Sequence, residues 1–267
     1  MITLAGLAAA LLYLVASLML GRQLARREAP NTRFVLALGA LALPLHLISV
    51  HAAIYQPEGL NLGLFHVISL VGWLIATLTI GMSLYQPVVT LALGAFPLAT
   101  LGILLSLFAR APYEPLNALS RGAESHILLS ILAYSVLTIA AAQAVLLAIQ
   151  DRHLRQHKRG ILNTLPPLVT MERLLFDLIA VGLALLTLAI LTGFLTLQNF
   201  FAQHVAHKTV FTLASWVVFA VLLTGRHFLG WRGATAIRFT LWGFALLLLG
   251  FYGSKIVLEL ILQTPPE

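Results

Sequence analysis

Nine histidines and no cysteine set the chemistry open to this 267-residue chain. Without thiols there is no disulfide, thiolate nucleophile, thiolate metal site or CxxC relay. A metal or cofactor would be held by His, Met, carboxylate or carbonyl groups. His153, His157 and His227 stand among basic residues. The other six, His46, His51, His66, His126, His204 and His207, adjoin long apolar runs. In a bilayer each such imidazole must find a partner or water, so a cluster at one depth defines a candidate site. Single patterns carry little. The HxxH of His204 and His207 lacks the third ligand or catalytic Glu of a zinc enzyme, and His153 with His157 reads as a solvated cationic face. On a helix, His126, Ser130 and Tyr134 fall on one stripe and His66, Ser69 and Trp73 on another. Bundles turn such stripes inward, either to line a polar, aromatic pocket or to hydrogen-bond neighbouring helices.

The elements that position these residues follow from composition. The chain is 60% hydrophobic and 9% charged, with a mean hydropathy of +0.96, which excludes a water-soluble globule and a disordered chain. A helix rising about 1.5 Å per residue needs roughly 20 apolar residues to cross a ~30 Å hydrocarbon core. Apolar runs predict spans over Leu4 to Leu20, Phe34 to Tyr55, Leu64 to Leu84, Val88 to Phe108, His126 to Ile149, Leu174 to Leu197, Thr209 to Leu223 and Phe239 to Leu262. Only helices satisfy their own backbone in lipid over such lengths. The expectation is an all-α polytopic bundle of about eight transmembrane helices, forming a single integral-membrane domain over residues 1–267.

Of the sixteen Lys and Arg residues, twelve fall in alternate loops. Arg22, Arg26, Arg27 and Arg33 follow the first span, and Arg152, Arg155, Lys158, Arg159 and Arg173 lie between the fifth and sixth. Arg226, Arg232 and Arg238 lie between the seventh and eighth. The positive-inside bias places these loops in the cytoplasm and both termini outside, with the first helix retained rather than cleaved. The net charge of +7 is then a topology signal, not a nucleic-acid footprint. Between the fifth and sixth spans, LPPL and MERLLFD are expected to lie at the inner headgroup boundary. Lys255 and Glu259 have ion-pair spacing, and Pro44 and Pro97 are expected to kink the second and fourth spans.

The stretch ESHILLSILAYSVL, from Glu124 to Leu137, resembles the segment of the cytochrome c assembly superfamily (CcsA, CcmC and relatives) in which an external His opens a helix. HKTVFTLASWVVFAVLLTGRHFLGWRG, from His207 to Gly233, resembles the family's helix after its tryptophan-rich loop. The helix order and the entry PPL-x-x-MERLLFDLIAVG, from Pro166 to Gly182, are most similar to the HemX- and YpjD-like branch. The resemblance implies an inner-membrane haem-handling protein, with His126 matching the family's first external histidine. Two features depart from the family. The WGxxWxWDPKE signature is replaced by GFLTLQNFFAQHVAHKT, from Gly193 to Thr209, and the second external His after the final helix has no counterpart.

A haem site needs an apolar wall, one or two imidazoles and cations for the propionates. The expected set is His126 and His207 as iron ligands, Phe200 and Phe201 as wall, Lys208 and Arg121 as cations, with Tyr134 and His66 in the same pocket. The expected partners are the lipid bilayer and a client cytochrome or membrane partner protein, in a bacterial inner membrane. The alternative is a non-haem accessory or scaffold subunit of a transport or envelope complex. A transporter is weaker, because ionisable groups at mid-bilayer are scarce. No nucleophile and base pair, phosphate loop or acidic dyad supports an enzyme.

Overall fold

A computed structural model of the chain describes residues 2–26, 28–109, 121–156, 166–196 and 206–256, with the side chains of 206 and 207 left aside. The helices are α1 (Ile2–Ala25), α2 (Thr32–Ile54), α3 (Leu64–Tyr85), α4 (Ala92–Phe108), α5 (Arg121–Arg155), α6 (Leu168–Thr196), α7 (Ala206–Leu229) and α8 (Ala234–Leu248). A 3-10 turn, Val89–Leu91, leads into α4, and a π-helical turn, Leu249–Gly253, extends α8. Among the described residues eight helices are long and apolar enough to cross a membrane, counting these two extensions. Below, the outer end of each helix is the end on the side of the N-terminus, as alternate crossings and the basic loops assign it.

The chain divides into two compact units, one of residues 1–116 and 149–168, the other of 117–148 and 169–267. In the first, α1 packs on α2 and α4, and α3 packs on α4 and α2. The sequence of α1 explains its docking face: Gly6, Ala9, Ala10, Tyr13, Ala16, Ser17, Leu20 and Leu24 recur every three to four residues and are buried. Lipid tails are as apolar as leucine, so helices associate through close packing of small residues. The α3–α4 pair shows this most clearly. A Cβ at Gly72 would lie 3.0 Å from Ala99 Cα, and one at Gly102 would lie 3.0 Å from Ser69 Cα. The two glycines therefore let the antiparallel backbones nearly touch. Tyr13 and Phe96 fill the centre, ring to ring at 5.1 Å.

Two local features differ from the sequence expectation. After α2 the chain forms a short hairpin, Tyr55–Gln56 against Gly59–Leu60, turning through Pro57 and Glu58. Pro44 and Pro97 sit inside α2 and α4, within the spans where they were expected. MERLLFD is not a segment separate from the sixth span. It forms the first turns of the 29-residue α6, because Met171, Leu175 and Phe176 share one buried face and continue the helical period into the span.

In the second unit the core is Leu137, Ile139, Leu175, Ile179, Leu186, Phe219 and Leu222. Its inner end is fastened by an ionic node. Glu172 of α6, only 12% exposed, accepts from Arg226 Nη1 and Arg232 Nε, each at 3.0 Å, and from the Gly233 N–H at 3.4 Å. Arg226 also donates to the Trp231 carbonyl at 3.3 Å and stacks over Phe176 at 4.7 Å. The turn this node holds is GWRG. Gly230 and Gly233 take positive φ of 66° and 54°, a region side chains disfavour. Gly225 lies under the Trp231 ring, which a Cβ at that position would meet.

Candidate functional site

At the outer end of the second unit, the first turn of α5 meets the last turn of α6, where Gly122 abuts Thr196. His126 follows one turn along α5, half-buried, and its Nδ1 lies 2.8 Å from the Ala189 carbonyl of α6. The Thr192 hydroxyl is 3.0 Å from the same oxygen. A carbonyl only accepts, so Nδ1 carries the proton and Nε2 carries the lone pair. No other hydrogen bond of His126 occurs among the described residues. This is how a ligating imidazole is commonly held: the second nitrogen donates to a carbonyl, which fixes the tautomer, orients the ring and raises its basicity.

The other expected site residues divide clearly. Arg121, exposed, opens α5 five positions before His126. Lys208 is half-buried in the first turn of α7, with its carbonyl beside Gly250. His207 lies on the same turn, but its side chain is outside the described residues, as are Phe200, Phe201 and His204. Tyr134 shares a stripe with His126, about 12 Å further along α5. Its hydroxyl donates to the Leu247 carbonyl at 2.7 Å, and Phe251 and Tyr252 pack on its ring at 5.2 and 6.0 Å. Tyr134 thus ties α5 to the π-helical turn, where the normal backbone ladder is interrupted. Lys255 Nζ sits 5.8 Å from the Phe251 ring; Glu259, its expected partner, lies outside the described residues.

His66 belongs to the first unit. Its Nδ1 is 2.8 Å from Ser106 Oγ of α4, while Ser69 meets His46 Nε2 at 3.1 Å and Trp73 Nε1 donates to the Leu43 carbonyl at 3.0 Å. The α3 stripe therefore fastens α3 to its neighbours. The feature that sequence patterning missed is Tyr13. It is fully buried and edge-on to His46 at 5.8 Å. Tyr13 Oη and His46 Nδ1 have no hydrogen-bond partner among the described residues. A lone tyrosine in the small-residue face of α1 was the available signal. His51 stacks on Tyr55 at 4.6 Å beside the hairpin.

No group of three or more His, Asp or Glu side chains able to enclose a metal ion occurs among the described residues. A haem iron asks for less: one or two imidazoles with the macrocycle supplying the remaining ligands. The single imidazole of His126, tautomer fixed and Nε2 open, with an exposed cation five positions earlier on α5, fits that donor set.

Eight apolar helices, polar groups paired across them and one oriented outer imidazole define a polytopic membrane protein. The family model of the cytochrome C assembly protein matches residues 34–262, and the chain belongs to that family. It is similar to the inner membrane protein YpjD of Escherichia coli K12, 34% identical over 232 residues, covering 86% of this chain and 88% of the relative. It is also similar to an uncharacterized 28.8 kDa protein of Azospirillum brasilense, 31% identical over 170 residues, covering 62% and 63%. No solved structure matches the chain.

Proposed function

We propose that this protein binds and presents haem at the outer end of its second unit, in a bacterial inner membrane, for a client cytochrome or membrane partner protein. The single observation that carries this is the Nδ1–H of His126 held by the Ala189 carbonyl, which leaves the Nε2 lone pair as the atom that would hold a haem iron. Haem, when bound, supplies an iron that accepts an imidazole nitrogen and a macrocycle that needs an apolar wall. The chain supplies the rest. His126 holds its ring in one orientation, Arg121 and Lys208 offer positive charge to the propionates, and His207 with Phe200 and Phe201 stand in the adjoining segment of the sequence. No bond-making group of the chain is required, so the role is that of a carrier and not an enzyme.

The decisive measurement is absorption of the purified protein with haem supplied. A Soret band is expected for the native chain and is expected to be lost in His126→Ala. Absence of the band from both overturns the proposal. A second reading, a non-haem accessory or scaffold subunit, is favoured by one observation: Tyr134 and His66 are both engaged in holding helices together. Under that reading, His126→Ala and His207→Ala leave partner binding intact, while changes to the inner-face arginines abolish it.

A further inference from the structure

The inner half of α1 carries a groove that neither the haem site nor the core uses. Its cavity is about 360 Å³. Val15, Leu18 and Met19 line one part, and Arg22, Gln23 and Arg26 line the other. These positions repeat at helical spacing on one face of α1, opposite the buried face that includes Tyr13, Ala16, Ser17, Leu20 and Leu24. Val15 and Leu18 are exposed apolar side chains. The arginines are exposed too, and neither has an ion pair among the described residues.

We propose that this groove binds one anionic phospholipid of the inner leaflet. Three features choose that occupant. From Val15 to Arg26 the face spans about 16 Å, roughly one leaflet of a ~30 Å hydrocarbon core. Along that length it changes from apolar to guanidinium, as a phospholipid changes from acyl chain to phosphate, and Arg binds phosphate through paired N–H donors. The polar end is also pre-shaped: Gln23 Oε1 accepts the Asn31 N–H at 3.0 Å and the Gln23 carbonyl accepts the Glu28 N–H at 2.9 Å. The turn into α2 is thereby fixed, and the Gln23 amide N–H groups remain as donors. Glu28 also lines the groove. Its carboxylate opposes the phosphate, so two guanidinium charges outweigh one acid.

The test uses the full chain in neutral detergent, stripped of lipid, with the thermal unfolding midpoint followed as lipid is titrated in. Phosphatidylglycerol is expected to raise the midpoint saturably; phosphatidylcholine and inorganic phosphate are not. Arg22→Gln and Arg26→Gln each weaken the apparent affinity roughly fivefold, and Glu28→Gln strengthens it. The control double variant Arg173→Gln with Arg238→Gln removes two exposed basic residues outside the groove and leaves the affinity unchanged. If the control loses as much as the groove variants, or phosphatidylcholine serves equally, there is no built site. An equal shift with phosphate alone overturns the lipid in favour of a small anion. Should Arg22→Gln fail to fold, Arg26→Gln and Glu28→Gln, which move affinity in opposite directions, decide the matter alone.

Discussion

His46 and His66, in the first unit, are held by hydroxyls, whereas His126, in the second, is held by a carbonyl. A hydroxyl donates or accepts, so Ser69 and Ser106 accommodate either tautomer of their imidazole. A carbonyl accepts only, so Ala189 leaves His126 one tautomer and one open nitrogen. The buried polar atoms without a partner among the described residues all belong to the first unit, Tyr13 Oη, His46 Nδ1, Thr79 Oγ1, Gln150 Oε1 and His153 Nε2, while the open nitrogen of the second stands at a half-exposed outer end. Similar residue types on similar helices thus serve cohesion in one unit and, in the other, leave open the nitrogen proposed to hold iron. The units also differ in what fastens them. The first relies on backbone contact across Gly72 and Gly102, the second on the charges around Glu172.

The difference in fastening is open to direct attack. Gly102→Leu puts a branched side chain where even a Cβ lies 3.0 Å from Ser69 Cα and 3.1 Å from the Ile68 carbonyl. Backbone cannot rotate aside as a side chain can, so α3 and α4 must separate, at a cost of about 3 kcal/mol. The expected result is early proteolytic cleavage confined to the first unit, with the His126 haem spectrum retained. Next in size is Glu172→Gln. It leaves the Arg226 and Arg232 guanidinium groups facing a neutral amide, which costs about 2 kcal/mol because hydrogen bonds to charged groups are lost at a largely buried acceptor. A lower unfolding midpoint, with cleavage now in the GWRG turn and not in α3 or α4, is the expected outcome. Equal loosening of both units by either variant would erase the distinction.

Which parts of this were legible in the sequence follows the same division. Long apolar runs fixed the spans because hydrophobic length is a one-dimensional property: Leu64 to Leu84 was expected and Leu64–Tyr85 is found. Helix ends were less legible. The inner end of α5 runs on to Arg155 and α6 starts at Leu168, since charged residues continue a helix once it leaves lipid. Glu172 was counted within an amphipathic segment and Arg226 and Arg232 as topology charges. Their meeting depends on residues some sixty positions apart, which no local pattern encodes. The periodicity of the polar stripe on α3 is enough to turn it inward, but whether it lines a pocket or bonds its neighbours depends on hydroxyl and carbonyl partners on α2 and α4. His126 was singled out by resemblance; the carbonyl that fixes its tautomer belongs to an alanine, invisible to any search by residue type.

The smallest expected effect tests the contrast between imidazoles most sharply. Ser106→Ala removes the hydroxyl that meets His66 Nδ1 at 2.8 Å. Interhelical hydrogen bonds in bilayers contribute about 0.6 kcal/mol on average, so the unfolding midpoint should fall only slightly. The spectrum of the haem-loaded protein should not change, because His66 is engaged in helix packing rather than in holding a ligand. A shifted Soret band in Ser106→Ala would instead make His66 a participant at the iron. Fixing the tautomer through a carbonyl would then no longer separate the ligating imidazole from the structural ones, and the carbonyl-held His126 would lose its special standing.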